Sequence, residues 1–219
     1  MGRIILTIAG PWSKAPDLKS DFDTYFEGSD DEFAEDFIFV ARRADAINAD
    51  DARAMRTHEG LLKATIDFDQ DAHRWAEKGV RLALNAIELG AVGVFVETAC
   101  KAFTPHALKS MNPKDAHSLF HFYVEVLGDG QHISTEGMYA FDLPEVTAPY
   151  SAHTLATAQA AVFSLAARMV CNRFSPVDGG VYRASESAPL YDVSRGQVSD
   201  DGGDPYQNPL APWVLTLSD

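Results

Sequence analysis

Cysteine is scarce in this chain: Cys100 and Cys171 are the two among 219 residues. A pair so far apart provides no disulfide framework, and such sparse use fits a reducing cytoplasm. Long apolar runs are missing as well. No stretch of about 18 apolar residues occurs, which excludes a membrane-spanning helix. The short apolar start, Ile4-Ile5-Leu6-Thr7-Ile8, lacks a cleavage-site pattern and is expected to be a strand rather than a signal peptide. Basic residues are few, with 18 Lys and Arg against 32 Asp and Glu and a net charge of −14. That balance argues against nucleic acid or an anionic membrane as partner, because phosphate contacts need clustered Lys and Arg.

Familiar catalytic signatures are also absent. There is no G-x-S-x-G elbow, no G-x-x-x-x-G-K-[ST] phosphate loop, no H-E-x-x-H and no C-x-x-C. Gly128-Asp129-Gly130 starts like a dinucleotide loop but lacks the third glycine and the helix that should follow. Asp67-Phe68-Asp69-Gln70-Asp71 starts like a calcium loop, yet Ala72 and Lys78 stand where the turn glycine and the closing acid belong. Asp69 or Asp71 is expected instead to cap the helix that follows. Cys100, six residues before His106, reads as a structural thiol and Cys171 as a buried one. No cofactor and no metal centre is expected, and the sequence leans away from an enzyme.

What the sequence does contain is a globular composition, 46% hydrophobic and 23% charged. A strand over residues 3–9 ends at Gly10-Pro11. Phe37-Ile38-Phe39-Val40-Ala41 reads as a buried strand, and part of 44–62 as helix. From residue 71 to 89 the polar positions Arg74, Glu77, Lys78, Arg81, Asn85 and Glu88 form one narrow stripe on an otherwise apolar helix. Gly90 closes that helix, and Gly93-Val94-Phe95-Val96 follows as a central strand. With a strand over 63–68, this makes a β-α-β unit. Alternation over 117–127 predicts a strand, turning at Gly128-Asp129-Gly130 into an antiparallel return over 132–141. An alanine-rich helix over 151–171, a short strand at 181–183 and a last strand or docked tail at 213–217 complete the reading, with a loop over 200–205. The expected architecture is one α+β domain: a largely antiparallel or mixed sheet with two main helices on one face, built from two β-α-β-like units. An acidic, aromatic-rich insertion is expected over about 13–36 and a Pro/Gly-rich segment over about 185–219.

One stretch resembles a known family. Thr135-Glu136-Gly137-Met138-Tyr139-Ala140-Phe141-Asp142-Leu143-Pro144-Glu145-Val146 is similar to the T-x-G-[ML]-x-x-[FL]-G-L-P-[ED] segment of a bacterial family defined by a domain of unknown function. Residues 90–96 resemble that family's G-A-x-G-V-[YF]-[VW] segment, so the likeness extends over about residues 71–170. Asp142 departs from the pattern, where the family has Gly. The resemblance implies a bacterial protein and brings no catalytic residues. Locally, Gly137 should relieve a tight backbone position, and Leu143-Pro144 should end a strand.

Two sets of residues stand out as candidate sites. Residues 17–39 hold six aromatic residues among acids, too many for a disordered tail. The rings should dock on the body or on a partner, with Phe22, Tyr25, Phe26, Asp30, Asp31 and Glu32 as candidate contacts. The charge is concentrated there: residues 15–51 hold 12 acids against 3 bases, and 192–219 hold 5 against 1. Residues 52–191 are nearly balanced, with 15 acids against 12 bases. This points to a non-catalytic module that binds a protein, a basic one by charge, in the manner of immunity proteins that neutralise toxins. The alternative is a small-molecule enzyme or sensor with a polar site on the 117–141 hairpin, made by His121, Tyr123, Glu125, His132 and Glu136. His117, His121 and Glu125 on one strand would span about 27 Å, too far to share a metal ion. A subunit of a homo-oligomer is a third reading, with another copy of the chain as partner.

Overall fold

The computed structural model describes residues 1–44, 46–198 and 206–218, and shows an α+β protein with two separate sheets. The chain divides into two compact units, Met1–Tyr123 and Val124–Asp219, where one sheet had been expected. The loop expected over 200–205 lies outside the described residues.

The first unit contains β1 (Gly2–Gly10), β2 (Asp23–Gly28), α1 (Asp31–Arg43), α2 (Ala49–Arg56), β3 (Gly60–Phe68), α3 (Ala72–Glu88), β4 (Gly93–Val96), β5 (Lys101–Phe103), α4 (Pro105–Leu108) and α5 (Ala116–Tyr123). Its strand order is β2-β3-β1-β4-β5, antiparallel at every pairing. β3 and β4 therefore run parallel to each other with β1 between them, and α3 crosses from one to the other. The expected β-α-β unit is present, split by the first strand.

Strand parity decides what each face meets. Ile4, Leu6 and Ile8 of β1 are fully buried on one face together with Val94 and Val96, where α3 and α5 pack; Phe103 of β5 stacks on Phe122 of α5, centroids 4.9 Å apart. The opposite face carries Ala9, Leu61, Phe95 and Ala102 under α1 and α2, with Phe37, Ile38 and Met55 in the core between. Helices therefore cover both faces of this sheet rather than one. Away from α1 and α2 the same face turns polar, with Arg3 paired to Asp67 and Lys63 to Glu27 at 3.2 Å.

Residues 37–41 belong to α1, not to a strand. Asp30 caps this helix, accepting from the Glu32 and Phe33 amides at 2.9 and 3.1 Å; Asp31 and Glu32 fill the first turn, and Arg42 and Arg43 the last. Each end thus matches the helix dipole, and local chemistry outweighs a run of residues that are β-formers by type. α3 begins without the carboxylate cap expected. Asp71 sits at φ 59° with no side-chain capping bond, and only its carbonyl accepts, from Arg74 and Trp75. Gly90, at φ 92°, closes the helix as expected.

The second unit contains β6 (Glu125–Gly128), β7 (His132–Glu136), β8 (Val146–Pro149), α6 (Leu155–Asn172), β9 (Val181–Arg183), β10 (Leu190–Arg195) and β11 (Trp213–Leu217). Its order is β6-β7-β8-β11-β10-β9, antiparallel except for the parallel pair β8 and β11. α6 lies against β6, β7 and β8, its alanines allowing close approach. Ile133, Thr135, Val146, Ala148, Trp213, Leu215, Val193, Tyr191 and Tyr182 share one buried face. Residues 117–123, expected as strand, form α5 instead. The Asp115 side chain accepts from the Ser118 amide at 2.9 Å and starts that helix. The return strand ends at Glu136, and residues 138–141 make a 3-10 turn. Cys171 is half-buried rather than buried, and Cys100 is exposed at φ 48°.

Candidate functional site

The acidic stretch is woven into the first unit. β2 pairs with β3 over six residues, Asp23 to Thr65 through Gly28 to Gly60, and forms one edge of the sheet. The rings divide by their surroundings. Phe22 is buried edge-on against Trp75, centroids 6.3 Å apart, so it cannot contact a partner. Phe33 meets Phe37, Phe95 and His58, while Phe26 is half-buried over Gly60, where a side chain would strike the ring. Tyr25 and Phe39 point outward, each 64% exposed. Asp30 has a structural task as the cap of α1, and its amide donates to His58 Nε2 at 3.1 Å. Asp31 and Glu32 remain on the surface, followed along the helix by Glu35 and Asp36. Glu35 holds Arg56 at 2.6 Å, and the guanidinium lowers its carboxyl pKa. Of the six expected contacts, Tyr25, Asp31 and Glu32 are exposed and Phe26 is half-buried; Phe22 and Asp30 have internal roles.

The polar hairpin set divides between the two units. His121 and Tyr123 lie on α5 in the first unit, whereas Glu125, His132 and Glu136 belong to the β6-β7 hairpin of the second. Tyr123 is fully buried, and its hydroxyl donates to the Ala76 carbonyl at 3.0 Å; burial raises the phenol pKa. The His121 carbonyl accepts from Lys101 Nζ at 2.6 Å. Glu125 and Glu136 stand opposite each other in register, and His132 shares their sheet face by parity. Asp129 organises the turn, accepting from the Gln131 and His132 amides at 2.8 and 2.7 Å, which lowers its pKa. Among the described residues, no three His, Cys, Asp or Glu side chains converge on a metal position.

Two carboxyls that the sequence did not single out have special environments. Glu145 is half-buried at the start of β8, where burial raises its pKa to about 7. Thr135 Oγ1 donates to its Oε2 at 2.6 Å and Asn208 Nδ2 to its Oε1 at 3.1 Å, both favouring the charged form without outweighing the burial; nearby Glu136 adds to the upward push. The same Thr135 oxygen accepts from the Val146 amide at 2.8 Å, and Asn208 also donates to the Leu143 carbonyl at 2.7 Å. These residues give the Thr135–Glu145 motif a physical role. Its two ends bind each other, Gly137 turns at φ 97°, and Asp142 takes φ 55°, a left-handed position where glycine would be free of strain. In the first unit, Glu97 follows the all-buried strand β4 and receives the Thr7 hydroxyl at 2.6 Å; burial raises its pKa while Thr7 and Lys63 oppose the shift. An acid directly after an uninterrupted apolar strand was the available signal for Glu97. For Glu145 the signal was its place directly after Leu143-Pro144, just before the following strand.

No family model matches the chain, and no curated protein or solved structure matches it either.

Proposed function

We propose that this chain is a non-catalytic binding protein whose acidic N-terminal surface captures a basic protein. The supporting observation is how the 15–51 stretch is arranged: its large rings pack inward except Tyr25 and Phe39, while Asp31, Glu32, Glu35 and Asp36 line the outside of α1. Exposed aromatic residues among like charges combine contact area with long-range steering of an oppositely charged partner. Neutralising a toxin, as immunity proteins do, is one biological use of such a surface. The sparse use of cysteine, two residues in 219, suits a reducing compartment.

Removing residues 17–36 would be a poor test, because it deletes β2 and the cap of α1. Affinity capture should compare the wild-type chain with Asp31→Lys/Glu32→Lys/Asp36→Lys and with Tyr25→Ala/Phe39→Ala, at low and high salt. The expected result is a basic protein held by the wild type, lost from the charge-reversed variant and released by salt. Identical capture by all three chains at both salt concentrations would overturn the reading.

A further inference from the structure

We infer that the free edge of β2 is where the partner binds, by adding a basic, extended strand to the sheet of the first unit. The inference rests on the partner-binding reading above and specifies its contact. β2 is one outer strand in the order β2-β3-β1-β4-β5, and among the described residues it pairs with β3 alone. Asp23, Thr24, Tyr25 and Gly28 are exposed, and space around Gly28 is open to 4 Å from where a side chain would begin.

Which main-chain groups face outward follows from the register. The Val92 amide donates to the Ala9 carbonyl at 2.8 Å, so odd-numbered residues of β1 turn their main-chain groups toward β4. Ile4, Leu6 and Ile8 then turn theirs toward β3, at Ile66, Ala64 and Leu62. Leu61, Lys63 and Thr65 are left to face β2, where they pair with Glu27, Tyr25 and Asp23. The N–H and C=O groups of Thr24 and Phe26 accordingly face away from the sheet. An extended segment laid along this edge would meet two consecutive sets of donors and acceptors at strand spacing.

Charge selects the occupant. Asp21 and Glu27 already meet Lys78 and Lys63 of their own chain at 2.8 and 3.2 Å, and Asp30 caps α1. A second copy pairing antiparallel on the same edge would set the exposed Asp23 and Asp31 of each chain against those of the other. Unpaired edges are commonly protected from self-association by such charges. A lysine- or arginine-bearing strand meets the opposite situation, and Tyr25 offers its exposed ring to side chains on the same sheet face.

The test uses the full chain and a seven-residue capped peptide alternating lysine with valine, with a glutamate-for-lysine peptide as control. Hydrogen exchange should show the Thr24 and Phe26 amides becoming at least about tenfold better protected with the lysine peptide and unchanged with the glutamate peptide. Thr24→Pro removes one outward donor while leaving the β2-β3 hydrogen bonds in place, and should weaken binding about tenfold at unchanged Tm. Unchanged amide protection in the wild-type chain, together with full binding by Thr24→Pro, would overturn strand addition. If binding then still fell on Asp31→Lys/Glu32→Lys, the acidic-surface reading would stand and only the edge would be wrong. If neither change mattered, both would fail.

Discussion

Two acid-bearing segments of this protein place their carboxylates in opposite ways. Along residues 17–43 the rings other than Tyr25 and Phe39 turn inward, while Asp23, Asp31, Glu32 and Asp36 stay exposed, so charge remains on the surface. Between residues 135 and 145 Glu145 turns inward and is held by Thr135 and Asn208, a local fastening. The number of acids therefore says little about what they do. Whether a neighbouring hydroxyl or amide takes up the carboxylate separates an interaction surface from a structural node.

The comparison can be tested most severely on α1 itself. Phe37 is 1% exposed and Phe39 64% exposed, two residues apart on one helix. Phe37→Ala should cost about 3–5 kcal/mol by transfer and cavity formation, read as a large fall in the urea midpoint of the first unit. On the inward side, Glu145 makes the second unit pH-dependent. Its folded pKa of about 7 lies above the ordinary 4.5, so the folded state keeps a proton that the unfolded chain releases. Its contribution to stability is fully present below about pH 4.5 and is lost as pH rises through 7, a change of about 2–3 kcal/mol. Glu145→Gln should flatten this part of the profile in urea melts recorded from pH 4.5 to 8. Asp30→Ala leaves the Glu32 and Phe33 amides uncapped and should cost about 1 kcal/mol, measured by thermal melting. Smallest of all, Phe39→Ala should change stability by no more than about 0.5 kcal/mol. If Phe39→Ala destabilised as much as Phe37→Ala, the division into inward rings and outward surface would be wrong.

The Phe37 and Phe39 pair also shows where the sequence misleads. As a strand, 37 and 39 would share a face; on a helix they lie about 200° apart. Five apolar residues in a row carry no period, and only the flanking Asp30 cap and terminal charges distinguish the helix. Residues 117–123 posed the converse problem. Phe120 and Phe122 mimic alternation, and Asp115 with Ser118 was the capping pair that marks a helix. β1, β3, α3, β4 and α6 were legible because their patterns are long or bounded by glycine. Division into two units was not, since pairing partners such as β8 and β11 lie far apart in sequence and nothing local records them. For the site, the acidic surface was visible in composition, while the outward groups of β2 depend on register, which only the folded sheet supplies.

The position of β1 has a consequence for the order of assembly. It is synthesised before its sheet partners, which begin at Gly60 and Gly93, yet it lies at the centre of its sheet. At ordinary synthesis rates, a delay on the order of 10 s separates making β1 from making β4. During that interval Ile4, Leu6 and Ile8 have no completed core to enter. Such separated pairings slow folding and raise contact order. A chain stopped after Phe68 would hold β1 with β3 alone, with no β4 on its other side, so the apolar strand β1 would be left with one unpaired edge.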